Sequence, residues 1–130
     1  MKAFVIDDDF IFRAVATVLI KEENFAENVL EFENGLKGYE ALIQLMETPD
    51  ELPDLIFLDI NMPVMNGWEF LEELKDGPEL IKDSVQIYIL TSSISHGDLI
   101  LSKHYDFING YITKPLTKAD LQKLQLNISQ

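Results

Sequence analysis

The chain has 130 residues, 47% of them apolar and 25% charged, no cysteine and a formal net charge of −13. That length suits one domain with a substantial core. The acidity argues against nucleic acid or an anionic membrane as partner, because little basic surface exists to neutralise phosphates; the missing cysteine excludes disulfides, thiolate metal sites and a thiol nucleophile. The opening Met1-Lys2-Ala3-Phe4-Val5-Ile6-Asp7 meets acid too early for a secretory signal, and no apolar run reaches membrane-spanning length. The expectation is a soluble, cytoplasmic, single domain over residues 1–130, in which the sequon Asn127-Ile128-Ser129 is coincidental.

Ala3-Phe4-Val5-Ile6 is an uninterrupted apolar run, the mark of a strand buried on both faces, and it stops at Asp7-Asp8-Asp9. A helix follows, with Asp9 at its start. Its residues Ile11, Ala14, Val15, Val18 and Leu19 share one face at the 3.6-residue period and are expected to point inward. Asn28–Phe32 reads as a second strand, and 36–47 as a second helix with Ala41, Leu42, Leu45 and Met46 inside. After a polar loop with two prolines, Leu55-Ile56-Phe57-Leu58 forms a third strand ending in Asp59. Ile60 to Asn66 holds too many breakers for a helix. Gly67 to about Asp76 is a third helix burying Trp68, Leu71 and Leu74, and Gly77-Pro78 interrupts it. A fourth strand, 85–90, leads to Thr91; a weaker helix spans 95–104 with capping-box spacing at Ser95 and Asp98. Gly110–Thr113 is a fifth strand before Lys114-Pro115, and Thr117 caps a last helix carrying Leu121, Leu124 and Ile128.

Five strands alternating with five helices imply an α/β fold, a doubly wound parallel sheet covered on both faces. In such a sheet the carboxyl ends of the strands share one edge, where ligands bind. That edge collects Asp7, Asp8, Asp59, Thr91 and Lys114. Clustered carboxylates suit a hard divalent cation such as Mg2+; a carboxylate can attack phosphorus; an ammonium and a metal can stabilise the transferring phosphoryl oxygens.

The stretches Val5-Ile6-Asp7-Asp8-Asp9, Leu58 to Gly67, Ile89-Leu90-Thr91-Ser92 and Gly110 to Pro115, in this order at these strand ends, resemble the receiver domains of two-component response regulators, single-domain chemotaxis-type regulators in particular. The resemblance covers essentially the whole chain. It implies a flavodoxin-like (βα)5 sheet of strand order 2-1-3-4-5. It implies Asp59 as phosphoacceptor and Mg2+ or Mn2+ held by Asp8, Asp59, Asp7 and the backbone carbonyl of Asn61. Lys114 would pair with the phosphoryl group, Thr91 and Tyr111 would act as switch residues, and Lys114-Pro115 would be cis. The implied donor is a sensor histidine kinase or phosphotransfer protein. The implied output is a target protein bound on the face of the 95–104 helix, the fifth strand and the last helix, with a phosphorylation-dependent homodimer through that face as in many relatives. A stand-alone phosphorelay module follows from the lack of an output domain in these residues, with no turnover of an outside substrate.

Some residues fit less closely. Residues 103–109 lack the small alanines frequent before the fifth strand of such domains, and small polar Asn61 and Ser93 point to an exposed phosphoryl group of unexceptional lifetime. His96 and His104 read as solvated. A phosphatase of the haloacid dehalogenase kind would need an acid where Asn61 stands, and no glycine-rich phosphate loop follows any strand.

Overall fold

The computed structural model describes residues 1–92 and 95–128. Its elements are β1 (Lys2–Ile6), α1 (Phe10–Glu22), β2 (Asn28–Phe32), α2 (Gly35–Leu45), a 3-10 turn (Pro49–Glu51), β3 (Leu55–Asp59), α3 (Gly67–Lys75), α4 (Glu79–Ser84), β4 (Gln86–Thr91), α5 (His96–Ser102), β5 (Ile108–Thr113) and α6 (Lys118–Ile128). All strand pairs are parallel and the sheet order is β2-β1-β3-β4-β5, the expected doubly wound topology.

The central strands alternate their side chains between two apolar layers. Phe4, Ile6, Ile56, Leu58, Ile87 and Ile89 meet Leu42 of α2, Phe70, Leu71 and Leu74 of α3 and Ile81 of α4. Ala3, Val5, Leu55, Phe57 and Leu90 meet Ala16 and Ile20 of α1 and Leu121 and Leu124 of α6. Burial on both sides explains why β3 is apolar until Asp59, whose carboxylate the strand delivers to the sheet edge.

Three expectations need correction. The inner face of α1 is Phe12, Ala16, Leu19 and Ile20; Ile11, Val15 and Val18 are 71%, 61% and 55% exposed. The helix carries two apolar stripes, and the one with Ile11, Val15 and Val18 faces out. Gly77-Pro78 interrupts α3 as expected, but a further helix follows at once: Pro78 stands at the N-cap of α4, where its fixed φ and missing N–H cost little. Six α-helices therefore occur among the described residues instead of five. Trp68 is only half-buried, its ring stacked on Tyr105 at 6.0 Å between centroids.

β5 begins two residues earlier than expected. A bulge between Ile87 and Tyr88 in the pairing leaves Asn109 as the extra residue, and its Oδ1 accepts from the Ile87 N–H at 2.9 Å. No helix among the described residues is long and apolar enough to cross a membrane. Ser93, like Ser129 of the sequon, and the side chain of Ile128 lie outside what the structure describes.

Candidate functional site

The parallel sheet brings Asp7, Asp59, Thr91 and Lys114 to one edge, with Asp8 at its rim. Asp7 follows β1 fully buried, Asp59 ends β3 at 4% exposure, and Thr91 ends β4 at 3%. Asp8 is exposed. Lys114 follows β5, its backbone N–H donating to the Thr91 carbonyl at 2.8 Å, and the Lys114-Pro115 bond is cis. Lys114 Nζ lies 2.7 Å from Asp7 Oδ2 and 3.4 Å from Asp59 Oδ1.

The loops around these groups are tied locally. Asp9 caps α1, its side chain accepting from the Ile11 and Phe12 N–H groups, while Asp7 Oδ1 accepts from the Asp9 N–H at 2.9 Å. Arg13 reaches back from α1 and donates from Nη1 to the Asp7 carbonyl at 2.6 Å, and its Nε lies 3.4 Å from Glu31 on β2. On the β3 side, the Asn61 N–H faces Asp59 Oδ1 at 3.4 Å, and the Gly67 N–H donates to the Ile60 carbonyl at 2.9 Å. Asn66 and Glu69 form a reciprocal capping box that starts α3. Between Asn61 and Asn66, Val64 has φ of 70°, a left-handed conformation that a β-branched residue rarely takes, and its side chain is exposed.

Burial, and then the neighbouring Asp7 charge, push the Asp59 carboxyl up to about 6, against the smaller opposing pull of Lys114. Burial pulls the Lys114 ammonium down. The close approach of Asp7 and the charges of both carboxylates outweigh it, so the net shift is upward.

Oxygens of Asp7, Asp8 and Asp59 all lie within 4.8 Å of one another, close enough to share one cation. Asp7 Oδ2, despite its ion pair, receives no well-directed hydrogen bond. A buried carboxylate oxygen with spare lone pairs beside two further carboxylates fits an oxygen-seeking divalent ion. Asn61 is exposed at the rim. Tyr111 is half-buried on β5, and its enclosed hydroxyl has no hydrogen-bond partner among the described residues. His96 and His104 are both exposed.

Sequence reasoning missed two neighbours of the site. Arg13 clamps the β1–α1 loop, and the Phe12 ring lies under the Lys114 ammonium at 4.6 Å. Neither has a local signature, because each contact joins parts of the chain that only the fold brings together. Further out, Tyr105 donates to Glu72 on α3 at 2.8 Å and carries the Lys75 ammonium over its ring at 5.8 Å, filling the space that small residues would leave before β5.

Comparison with known proteins agrees with this arrangement. A family profile described as the response regulator receiver domain matches residues 3–125. The chain is 38% identical over 92 residues to a protein-glutamate methylesterase/protein-glutamine glutaminase of Desulfotalea psychrophila, covering 71% of this chain but only 23% of that protein. It is 31% identical over 107 residues to response regulator Rcp1 of Synechocystis, covering 82% of this chain and 71% of Rcp1. The structure of a two-component response regulator from Cytophaga hutchinsonii superposes with a TM-score of 0.88 at 28% identity, over 98% of this chain and 96% of that one. A Mn2+-bound form of Rcp1 superposes at 0.71 with 26% identity, over 98% of this chain and 91% of that one.

Proposed function

The chain belongs to the response regulator receiver family, and from that premise we propose that it is a stand-alone receiver in a phosphorelay, accepting a phosphoryl group on Asp59 and switching a protein-binding face. The carrying observation is the constellation at the sheet edge: buried Asp59, with the Lys114 ammonium 3.4 Å away and Asp7 and Asp8 within metal-sharing distance.

An Asp59 oxygen attacks the phosphorus of the donor. The new O–P bond forms as the bond to the leaving group breaks, and the leaving group keeps that electron pair and takes up a proton. A phosphohistidine of a sensor kinase or phosphotransfer protein is the donor in this reading, with a P–N bond broken. With its carboxyl at about 6, Asp59 is ionised near neutral pH and able to attack. Lys114 places positive charge where the transferring oxygens accumulate negative charge. Asp7, Asp8 and Asp59 would hold Mg2+ or Mn2+ by their side chains, with the Asn61 backbone carbonyl as a further oxygen. Bound there, the ion offsets repulsion between the acidic site and the incoming phosphate.

Thr91 and Tyr111 then couple the new charge to the surface. Thr91 stands at the end of β4, and its hydroxyl would bond the phosphoryl group. The unsatisfied Tyr111 hydroxyl carries a desolvation cost of about 1–3 kcal/mol, so its inward position is easily biased. Helix α5, which buries none of its side chains, presents half-exposed Leu99, Ile100 and Leu101. That α5–β5–α6 face is where a target protein, or a second phosphorylated copy, would dock. The module alters only its own phosphorylation and turns over no outside substrate, its acidity disfavours nucleic acid and anionic membranes, and its place is the cytoplasm.

Intact-mass measurement after incubation with acetyl phosphate tests this. The expected result is one phosphoryl adduct that requires Mg2+ and disappears in Asp59→Asn. A folded wild type that acquires none would leave a docking module that works without phosphate.

A further inference from the structure

Lys114 must be aimed at Asp59 at the moment of transfer, and the contacts of its ammonium show what can aim it. Two are carboxylates, Asp7 at 2.7 Å and Asp59 at 3.4 Å; the third is the face of the Phe12 ring, 4.6 Å from Nζ to the centroid. We propose that Phe12 is a positioning residue for phosphoryl transfer, its ring holding the Lys114 ammonium beside Asp59 when Asp7 is engaged elsewhere. This rests on the receiver reading above and extends it to a residue that touches neither phosphate nor metal.

The nearest partner of Lys114 is Asp7, and Asp7 is also one of the three carboxylates that converge on one cation. A carboxylate committed to a cation attracts an ammonium less, and a lysine stem with four rotatable bonds then loses its strongest tether. Asp59 is no substitute, because its oxygens are the reacting atoms.

The ring face remains. It attracts the ammonium through the negative face of its quadrupole, yet it donates no lone pair to a metal and neutralises no charge. The full positive charge stays available to the phosphoryl oxygens.

Phe12 is also well placed to stay still. Its N–H is bonded to the Asp9 cap at 3.2 Å, and its side chain packs against the apolar cluster that holds Ala16, Ile20 and Leu121. Leu116, two residues beyond Lys114, belongs to that same cluster, so ring and lysine are anchored on one body. Leucine or methionine at position 12 would fill the volume without supplying the charged-face attraction.

The test is a double-mutant cycle on the rate of adduct formation from acetyl phosphate in Mg2+, using wild type, Phe12→Leu, Lys114→Met and the pair. The expected result is a loss of about three- to tenfold for Phe12→Leu in the wild-type background. No further loss is expected once Lys114 is methionine, and Phe12→Tyr should keep the wild-type rate. Equal losses in both backgrounds, or none in either, overturn the proposal. A wild type that takes no phosphoryl group overturns both this and the receiver reading, whereas a reactive wild type with an equally reactive Phe12→Leu overturns this alone. Metal-free NMR of the wild type supplies a readout that needs neither activity nor a folded variant. The Lys114 ε-methylene protons should be shifted upfield by the ring current, and unshifted protons overturn the contact itself.

Discussion

Asp59 is held in a place that suits reaction better than stability. Its carboxyl ionises at about 6 in the folded protein against 3.8 when unperturbed, so the folded state binds that proton more tightly than the unfolded state. Stability from this group is therefore complete below about pH 4, declines as pH rises through the window between the two values, and is lost above about 6. Near pH 7 the handicap is on the order of 2–3 kcal/mol, at about 1.4 kcal/mol per unit. Asp59→Asn, which has no proton to lose, should be more stable than wild type by up to that amount in metal-free buffer near neutrality, with the gap closing below about pH 4. Urea unfolding of both proteins across pH measures it, and a pH-independent difference would mean that Asp59 is not the group responsible. The same residue shows what the sequence made legible. An apolar run that ends in a carboxylate, repeated at Asp7, with Thr91 and Lys114 at two further strand ends, needs only the parallel topology to converge. Phe12 and Arg13 were not legible as neighbours of the site, because a ring under an ammonium and a guanidinium on a carbonyl leave no periodic or spacing signal.

At the scale of elements, strands were easier to read than helix faces. The runs over residues 3–6, 55–58 and 87–90 are apolar because both sides of those strands are buried, so they stand out whichever way each side chain points. Helix α1 is apolar on two stripes, and periodicity alone cannot say which stripe meets the sheet. The choice follows from its geometry: with Asp9 capping the first turn, Phe12, Ala16, Leu19 and Ile20 lie over the sheet, and small Ala16 lets the helix approach closely. Close approach matters even more for α3. A Cβ on Gly67 would lie 2.6 Å from the Asp59 carbonyl oxygen and 2.8 Å from the Ile60 Cα, both backbone atoms at the end of β3. Neither atom can swing aside, so Gly67→Ala must push the start of α3 away from the strand that carries the phosphoacceptor. The expected cost is about 1–3 kcal/mol, the usual penalty for overpacking. Thermal or urea unfolding reads it directly, and an unchanged midpoint would show that the β3–α3 junction is looser than its contacts indicate.

The whole molecule carries 23 acidic against 10 basic side chains, and among the described residues the group of three carboxylates close enough to share one ion is the site itself. Two distinct effects of salt follow from that distribution. Any electrolyte screens the general self-repulsion of a chain at −13, so added NaCl should raise the unfolding temperature gradually. A divalent cation that binds the folded state alone adds a term that grows with the logarithm of its concentration, about 1.4 kcal/mol when the ion stands at tenfold its dissociation constant. The three convergent carboxylates exist as a cluster only when β1 and β3 are paired, so the second term belongs to the fold and not to the acidic composition. MgCl2 should therefore stabilise the protein more than NaCl at matched ionic strength, and the excess should grow by about 1.4 kcal/mol for each tenfold rise in Mg2+ above its dissociation constant. Asp8→Asn separates the two terms cleanly: Asp8 is exposed, so its replacement leaves the core intact while removing one of the three negative charges that converge on the ion. The variant should keep the gradual NaCl response and lose most of the Mg2+ excess. Identical responses to the two salts in the wild type would mean that the carboxylates at the sheet edge hold no cation, and the phosphoryl chemistry would then have to rely on Lys114 alone for its positive charge.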